Sequence, residues 1–252
     1  MLLEGKNAII YGAGGAIGEA VSRAFAREGA RIFLAGRTLA TLDEVAADIR
    51  SAGGVAETAQ VDSLDERAVD EHADAVAAQA GSIDVFFNLV THPFVHGTPM
   101  AEMAVEDYTV SVATAVRTTF LTARAAARHM IRQGSGTILF FGGSGDPIRD
   151  YYIGGTQAAF DAIESMRRQL AVELGPHGVR RVTLKTGGVP ESIPESVGER
   201  EEIVERHIVA PTMLGRAATL EDVGNVAAFA ASNHARTMTA TTLNISCGAI
   251  VD

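Results

Sequence analysis

The sequence has no tryptophan, one cysteine and, among 21 basic residues, only two lysines, Lys6 and Lys185. The single Cys247 cannot form an internal disulfide, and no Cys/His cluster has the spacing of zinc ligands, so no metal is expected. No apolar run approaches the ~18 residues that a membrane span needs. Internal repeats and low-complexity tracts are missing too. Positive charge is scarce: 31 acidic residues against 21 basic ones leave a net charge of −10. That balance excludes nucleic acid and anionic membrane as partners, because both need a basic surface. Glu4 and Lys6 interrupt the N-terminal approach to the first apolar run, which therefore reads as neither a signal nor a transit peptide. What remains is a soluble, cytoplasmic chain acting on a small molecule. At 252 residues with 47% hydrophobic content, it can bury a sizeable core as one domain, 1–252.

The most informative stretch is Asn7 to Gly18. A short apolar run, Ala8-Ile9-Ile10-Tyr11, stops at Gly12-Ala13-Gly14-Gly15, and an Ala-rich amphipathic stretch, Glu19 to Glu28, follows. That is the sequence form of strand, tight turn and helix. Glycine suits such a turn because a phosphate must approach the backbone and some turn residues need positive φ. The first N–H groups of the helix can then hold an anion, helped by the helix dipole. Gly12, Gly14, Gly15, Ala16 and Ile17 are the expected dinucleotide contacts. The spacing fits Gly-x-x-x-Gly-x-Gly, with Ala16 in the middle place.

A regular alternation follows. Strands are expected at Arg31 to Ala35, Val55 to Val61, Ile83 to Val90, Gly136 to Phe141, Val179 to Lys185 and Thr242 to Ser246. Helices are expected at Leu39 to Ala52, Asp65 to Ala80, Val105 to Gln133 and Thr156 to Leu174. Strands joined by long helical connections are parallel, with right-handed crossovers. The fold class is therefore α/β: a Rossmann-type doubly wound parallel sheet of about seven strands with helices on both faces. The charged stretch Glu191 to Ala210, after the sixth strand, reads either as a solvated loop or as a substrate-side lid over 190–212.

The end of the second strand bears on the cofactor. An acidic residue there would bind a ribose 2′-hydroxyl and repel a 2′-phosphate. This chain has Gly36 followed by Arg37, whose guanidinium can pair with a phosphate. NADP(H) is thus favoured over NAD(H). Asp62 and Ser63, at the end of the third strand, are placed to reach the adenine edge.

These features together resemble the short-chain dehydrogenase/reductase family over nearly the whole chain. Tyr11-Gly12-x-x-x-Ala16-x-Gly18 is similar to the family's Thr-Gly-x-x-x-Gly-x-Gly turn, and Asp62 to its adenine-contacting Asp. Asn88-Leu89-Val90-Thr91 stands where the family has Asn-Asn-Ala-Gly. Leu170 to Arg180 resembles the end of the catalytic helix and the start of the sixth strand. Lys185-Thr186-Gly187-Gly188-Val189 replaces the Pro-Gly-Pro turn, and Leu214-Gly215-Arg216 through Gly248-Ala249 is similar to the family's tail. The resemblance implies cofactor contacts at Asn88, Gly187 and Val189, a homodimer or homotetramer, and carbonyl/alcohol chemistry by an Asn/Ser/Tyr/Lys tetrad. In that chemistry tyrosine passes the proton, and lysine lowers the tyrosine's pKa.

Counting back from Leu170–Arg180 puts Thr156 at the tyrosine position, Phe160 at the lysine and Gly143 at the serine; Ala115 falls at the asparagine. None of the four matches. Phe160 cannot lower a phenol's pKa or bind a ribose hydroxyl, so the ordinary mechanism should be absent or slow. Ser144, Tyr152 and Lys185 are the candidate substitutes. Ser144 adjoins the vacant serine position, Tyr152 lies one turn before Thr156 if the helix starts early, and Lys185 ends the sixth strand. His92 and His96 lie near the expected cleft but are also ordinary for a polar surface loop. Two readings stay open: an NADP(H)-dependent oxidoreductase with a rearranged or impaired site, and a non-catalytic nucleotide-binding sensor or scaffold. A halohydrin dehalogenase is disfavoured, since Phe160 is not arginine and the glycine turn is open. Val112, Val116, Phe120, Ala123 and Ala127 are spaced to pack a partner helix or the sheet.

Overall fold

A computed structural model describes residues 1–143, 145, 146, 148 and 152–251. Seven parallel strands form one sheet in the order β3-β2-β1-β4-β5-β6-β7. They are β1 Asn7–Tyr11, β2 Arg31–Gly36, β3 Val55–Gln60, β4 Val85–Asn88, β5 Gly136–Gly142, β6 Val179–Lys185 and β7 Thr241–Asn244. The helices between them are α1 Ala16–Arg27, α2 Leu39–Ser51, α3 Glu66–Ala80, α4 Val105–Gln133, α5 Thr156–Leu174, α6 Arg200–Ile203 and α7 Leu220–Ala231. The strand order reverses between β1 and β4, where the crossovers change side and leave a crevice at the carboxyl ends.

Both sheet faces are buried, which is why the strands read as continuous apolar runs rather than alternating ones. Successive side chains still point to opposite sides. Ala8 and Ile10 of β1, Ile32 and Leu34 of β2, and Phe87 of β4 join Val21 and Phe25 of α1 and Val223 and Ala227 of α7 in one core. Ile9, Tyr11, Phe33 and Phe86 pack on the other face with Val69 of α3, Ala123 and Ala127 of α4, and Ile163 of α5. Tyr11 ends its strand on that second face, where its hydroxyl meets His72 Nδ1 of α3 at 2.8 Å. Burial lowers His72 to about 4 and raises the Tyr11 phenol.

Sequence reading assigns neither the short α6 nor α7. The signal of α7 is present: Thr219 accepts a hydrogen bond from Asp222 N–H, and the Asp222 carboxylate accepts one from Thr219 N–H, closing a capping box. Other differences are small. α1 begins at Ala16, not Glu19. Asp65 caps α3 rather than opening it, and β4 is confined to Val85–Asn88. The apolar residues of α4 do not share one face: Ala123 and Ala127 are buried, whereas Phe120 is exposed beside Arg124.

Candidate functional site at the carboxyl ends of the strands

The glycines after β1 serve two purposes. Gly12 has φ +76°, and a Cβ there would strike the Leu89 carbonyl at the end of β4. A Cβ on Gly18 would strike the Gly12 carbonyl, and one on Gly14 the Thr41 side chain. These three allow α1, α2 and β4 to crowd the turn. Gly15 differs: its nearest obstacle, the Gly12 carbonyl, lies 3.6 Å from a Cβ. Fold packing does not require glycine at 15. With helix α1 opening at Ala16, the N–H groups of its first turn lack intrahelical acceptors and can hold an anion.

At the end of β2, a Cβ on Gly36 would meet only Leu42, at an ordinary 3.5 Å, so the space an acidic side chain would take stays open. Arg37 is exposed, and its carbonyl accepts from Gln60 Nε2 at 2.9 Å. Asp62 is exposed; its carboxylate accepts from Leu64 N–H at 2.9 Å, while Ser63 is buried beside it. Asn88 is buried and held in place: Nδ2 donates to Thr119 Oγ1 at 3.2 Å and Oδ1 accepts from Val90 N–H at 2.9 Å. Its amide keeps one further N–H donor.

The other half of the crevice is built differently. The Phe160 ring lies over the end of β5, so a Cβ would come within 3.3 Å of it at Gly142 and 2.9 Å at Gly143. Beyond it, the His92 ring packs edge-on to Phe160, centroids 6.1 Å apart. One turn further along α5, Glu164 accepts from Thr183 Oγ1 at 2.6 Å and from Arg167 Nε at 2.9 Å. Thr156 is buried, and its hydroxyl has no hydrogen-bond partner among the described residues. The turn after β6 is held by Thr186 N–H donating to the Gly142 carbonyl at 3.1 Å. Val189 is buried, and Gly187 stands against Ala249.

A fold of this kind, with a glycine turn at the β1–β4 crevice, matches known proteins over its length. The family model described as "Enoyl-(Acyl carrier protein) reductase" matches residues 12–249. The chain belongs to the short-chain dehydrogenase/reductase family. That family binds NAD(P), and its oxidoreductases act on alcohol and carbonyl groups. Galactitol 2-dehydrogenase (L-tagatose-forming) of Cereibacter sphaeroides is 30% identical over 250 residues, 98% of this chain and 95% of that protein. Gluconate 5-dehydrogenase of Gluconobacter oxydans is 27% identical, covering 91% and 89% of the two chains. Among solved structures, a short-chain type dehydrogenase/reductase from Mycobacterium marinum superposes with a TM-score of 0.88 at 27% identity, over 99% and 97% of the chains.

Of the three candidate substitutes, Tyr152 and Lys185 fall within the described residues. Ser144 lies outside the described residues. Tyr152 is half exposed and precedes α5, which starts at Thr156, so no shared helical face brings it towards position 156. Its carbonyl accepts from Gly97 N–H at 2.8 Å and ties it to the loop after β4. Lys185 is half-buried at the last position of β6, in register with Gly142 and Asn244. By the two-residue period it shares the α5 side of the sheet with Thr183. Ala115 is buried in α4. The segment 190–212 folds over the turn after β6: Ile208 packs on Gly188, and Arg200 donates to the Pro190 and Ile193 carbonyls at 3.0 and 3.1 Å. Among the described residues no cluster of His, Cys, Asp and Glu could hold a metal, and no helix is long and apolar enough to cross a membrane.

Proposed function

We propose that this protein is an NADP(H)-dependent oxidoreductase acting on a small alcohol or carbonyl compound through a rearranged site. The observation that carries the cofactor preference is the end of β2. Gly36 leaves the acidic position open, and Arg37 stands exposed beside it with no ion pair among the described residues. A 2′-phosphate there would gain a charge-assisted pair, and a bare 2′-hydroxyl would find no carboxylate. Gly12, Gly14, Gly15, Ala16 and Ile17 would carry the pyrophosphate, Asp62 and Ser63 the adenine side, and Asn88, Gly187 and Val189 the nicotinamide side. The nicotinamide supplies hydride acceptance or donation when bound. The chain's own task is to orient the substrate, exclude water and handle one proton. The segment 190–212 would cover the substrate side, a place its contact with Gly188 supports. Relatives that carry out polyol and sugar-acid oxidation support a small hydroxylated substrate.

A second reading, a non-catalytic nucleotide-binding protein, draws on the Phe160 ring covering Gly143. The two part on turnover, measured with NADP+ and a panel of galactitol, D-threitol, gluconate and meso-2,3-butanediol. Oxidation of any of these supports the first reading; tight nucleotide binding without oxidation supports the second. A homodimer or homotetramer is also proposed, supported by Phe120 and Val105 exposed on α4, and sedimentation tests it.

A further inference from the structure

We infer that His92 is the proton-transfer residue of this cleft and that Ser111 positions it. The inference rests on the oxidoreductase reading above and deepens it, because that reading names no residue for the proton. Thr156 stands at the tyrosine position and is buried, Tyr152 is half exposed and precedes α5, and Phe160 fills the space above Gly143. Among the described residues His92 meets Phe160 in a T-shaped ring contact and has neither a hydrogen bond nor an ion pair. Neither ring nitrogen is among the buried unpaired atoms, so at the carboxyl edge of the sheet, above the β5 end, they are open to solvent or to a ligand.

The loop that carries His92 is held on both sides. Ser111, fully buried on α4 one turn before Ala115, donates its hydroxyl to the Pro93 carbonyl at 2.5 Å. Gly97 N–H donates to the Tyr152 carbonyl at 2.8 Å. The position of the ring is thus fixed through its immediate neighbour Pro93 and through the Phe160 face.

Burial lowers the pKa of His92 below its usual value. From α5 it is faced by Phe160 and from α4 the loop is held by Ser111; neither group titrates in the working range. The imidazole is therefore neutral near pH 7, which suits a general base and hence the alcohol-oxidising direction. Its unprotonated nitrogen takes the hydroxyl proton as the O–H bond breaks. A bound oxidised nicotinamide would accept the C–H electron pair as hydride while the C=O bond forms, and the His92 imidazolium would release its proton to water.

The test pairs a titration with kinetics on the full chain. The His92 ring, followed by NMR in the protein without nucleotide, should titrate below 6.5 and remain accessible to solvent. Calorimetry with NADP+ should give the same affinity for wild type and His92→Gln, while oxidation of the four-compound panel falls at least 100-fold in the variant. Ser111→Ala should lower kcat about 10-fold with little change in KM, and Ser111→Thr should restore part of it. The acid limb of kcat/KM should follow the NMR midpoint. Turnover that survives His92→Gln, or a ring that titrates at or above 6.5, overturns the assignment and leaves the oxidoreductase reading standing. A wild type that binds NADP+ but oxidises none of the four overturns both.

Discussion

The two halves of the crevice are fixed by different means. At the β1–β3 end, backbone meets backbone: Gly12 against Leu89, Gly18 against Gly12. At the β4–β6 end, side chain meets backbone: Phe160 against Gly142 and Gly143. A glycine wedged between main chains cannot be exchanged without moving elements, whereas a ring over a glycine can be exchanged if its neighbour changes too. The nucleotide half is therefore held by the fold itself, and the reaction half is held only by the mutual fit of a few side chains. A large residue at 160 and a bare one at 143 form one such fit, since a serine hydroxyl and this ring would compete for the same space.

Mutations can break that contrast. The largest effect is expected at Gly18→Val, where the side chain collides with the main chain of Gly12 and Ala13; a loss of more than about 3 kcal/mol is expected in urea unfolding. A stable variant would show that the turn yields. Next comes acid. His72 is neutral in the folded state, with its pKa lowered to about 4. Its contribution is present above the unfolded value near 6.5 and disappears as pH falls from there to about 4, up to ~3 kcal/mol. Unfolding free energies over pH 4–7 check this; His72→Leu should flatten the slope.

At the reaction end, Gly143→Ser should cost roughly 1–3 kcal/mol by displacing the Phe160 ring. In a double-mutant cycle Phe160→Ala should remove most of that penalty. Strict additivity would mean that the two positions are not packed as a pair. The smallest effect is expected at Gly15→Ala, within about 0.5 kcal/mol of wild type in thermal unfolding, because its Cβ meets nothing closer than 3.6 Å. NADPH affinity should nevertheless fall there, measured by calorimetry on the same sample.

The contrast also explains what could be read without a structure. The parallel sheet, the two-sided core and the glycine turn are legible because they rest on periodicity and backbone geometry: Ile9 and Ile10 announce two buried faces, and Gly12 to Gly18 a tight crossover. Helix α7 gives a weak signal because half of its apolar residues are alanine, although Thr219 and Asp222 spell its start. The reaction end was legible only as a set of missing groups. Tyr152 drew attention by its hydroxyl, but whether it joins the site depends on where α5 begins, which sequence does not fix. His92 looked like any loop histidine. Its significance lies in a ring contact with a residue 68 positions away and in hydrogen bonds it lacks, and neither leaves a mark in the sequence.

The proposed NADP(H) preference rests on Arg37 reading a 2′-phosphate. The most direct measurement is a calorimetric titration of wild type and Arg37→Ala with NADPH and with NADH. Tighter binding of NADPH than NADH by wild type is expected, with Arg37→Ala weakening NADPH roughly 10- to 100-fold, the loss of a charge-assisted pair, and leaving NADH unchanged. Equal affinity for the two nucleotides in wild type, or none for either, would contradict it.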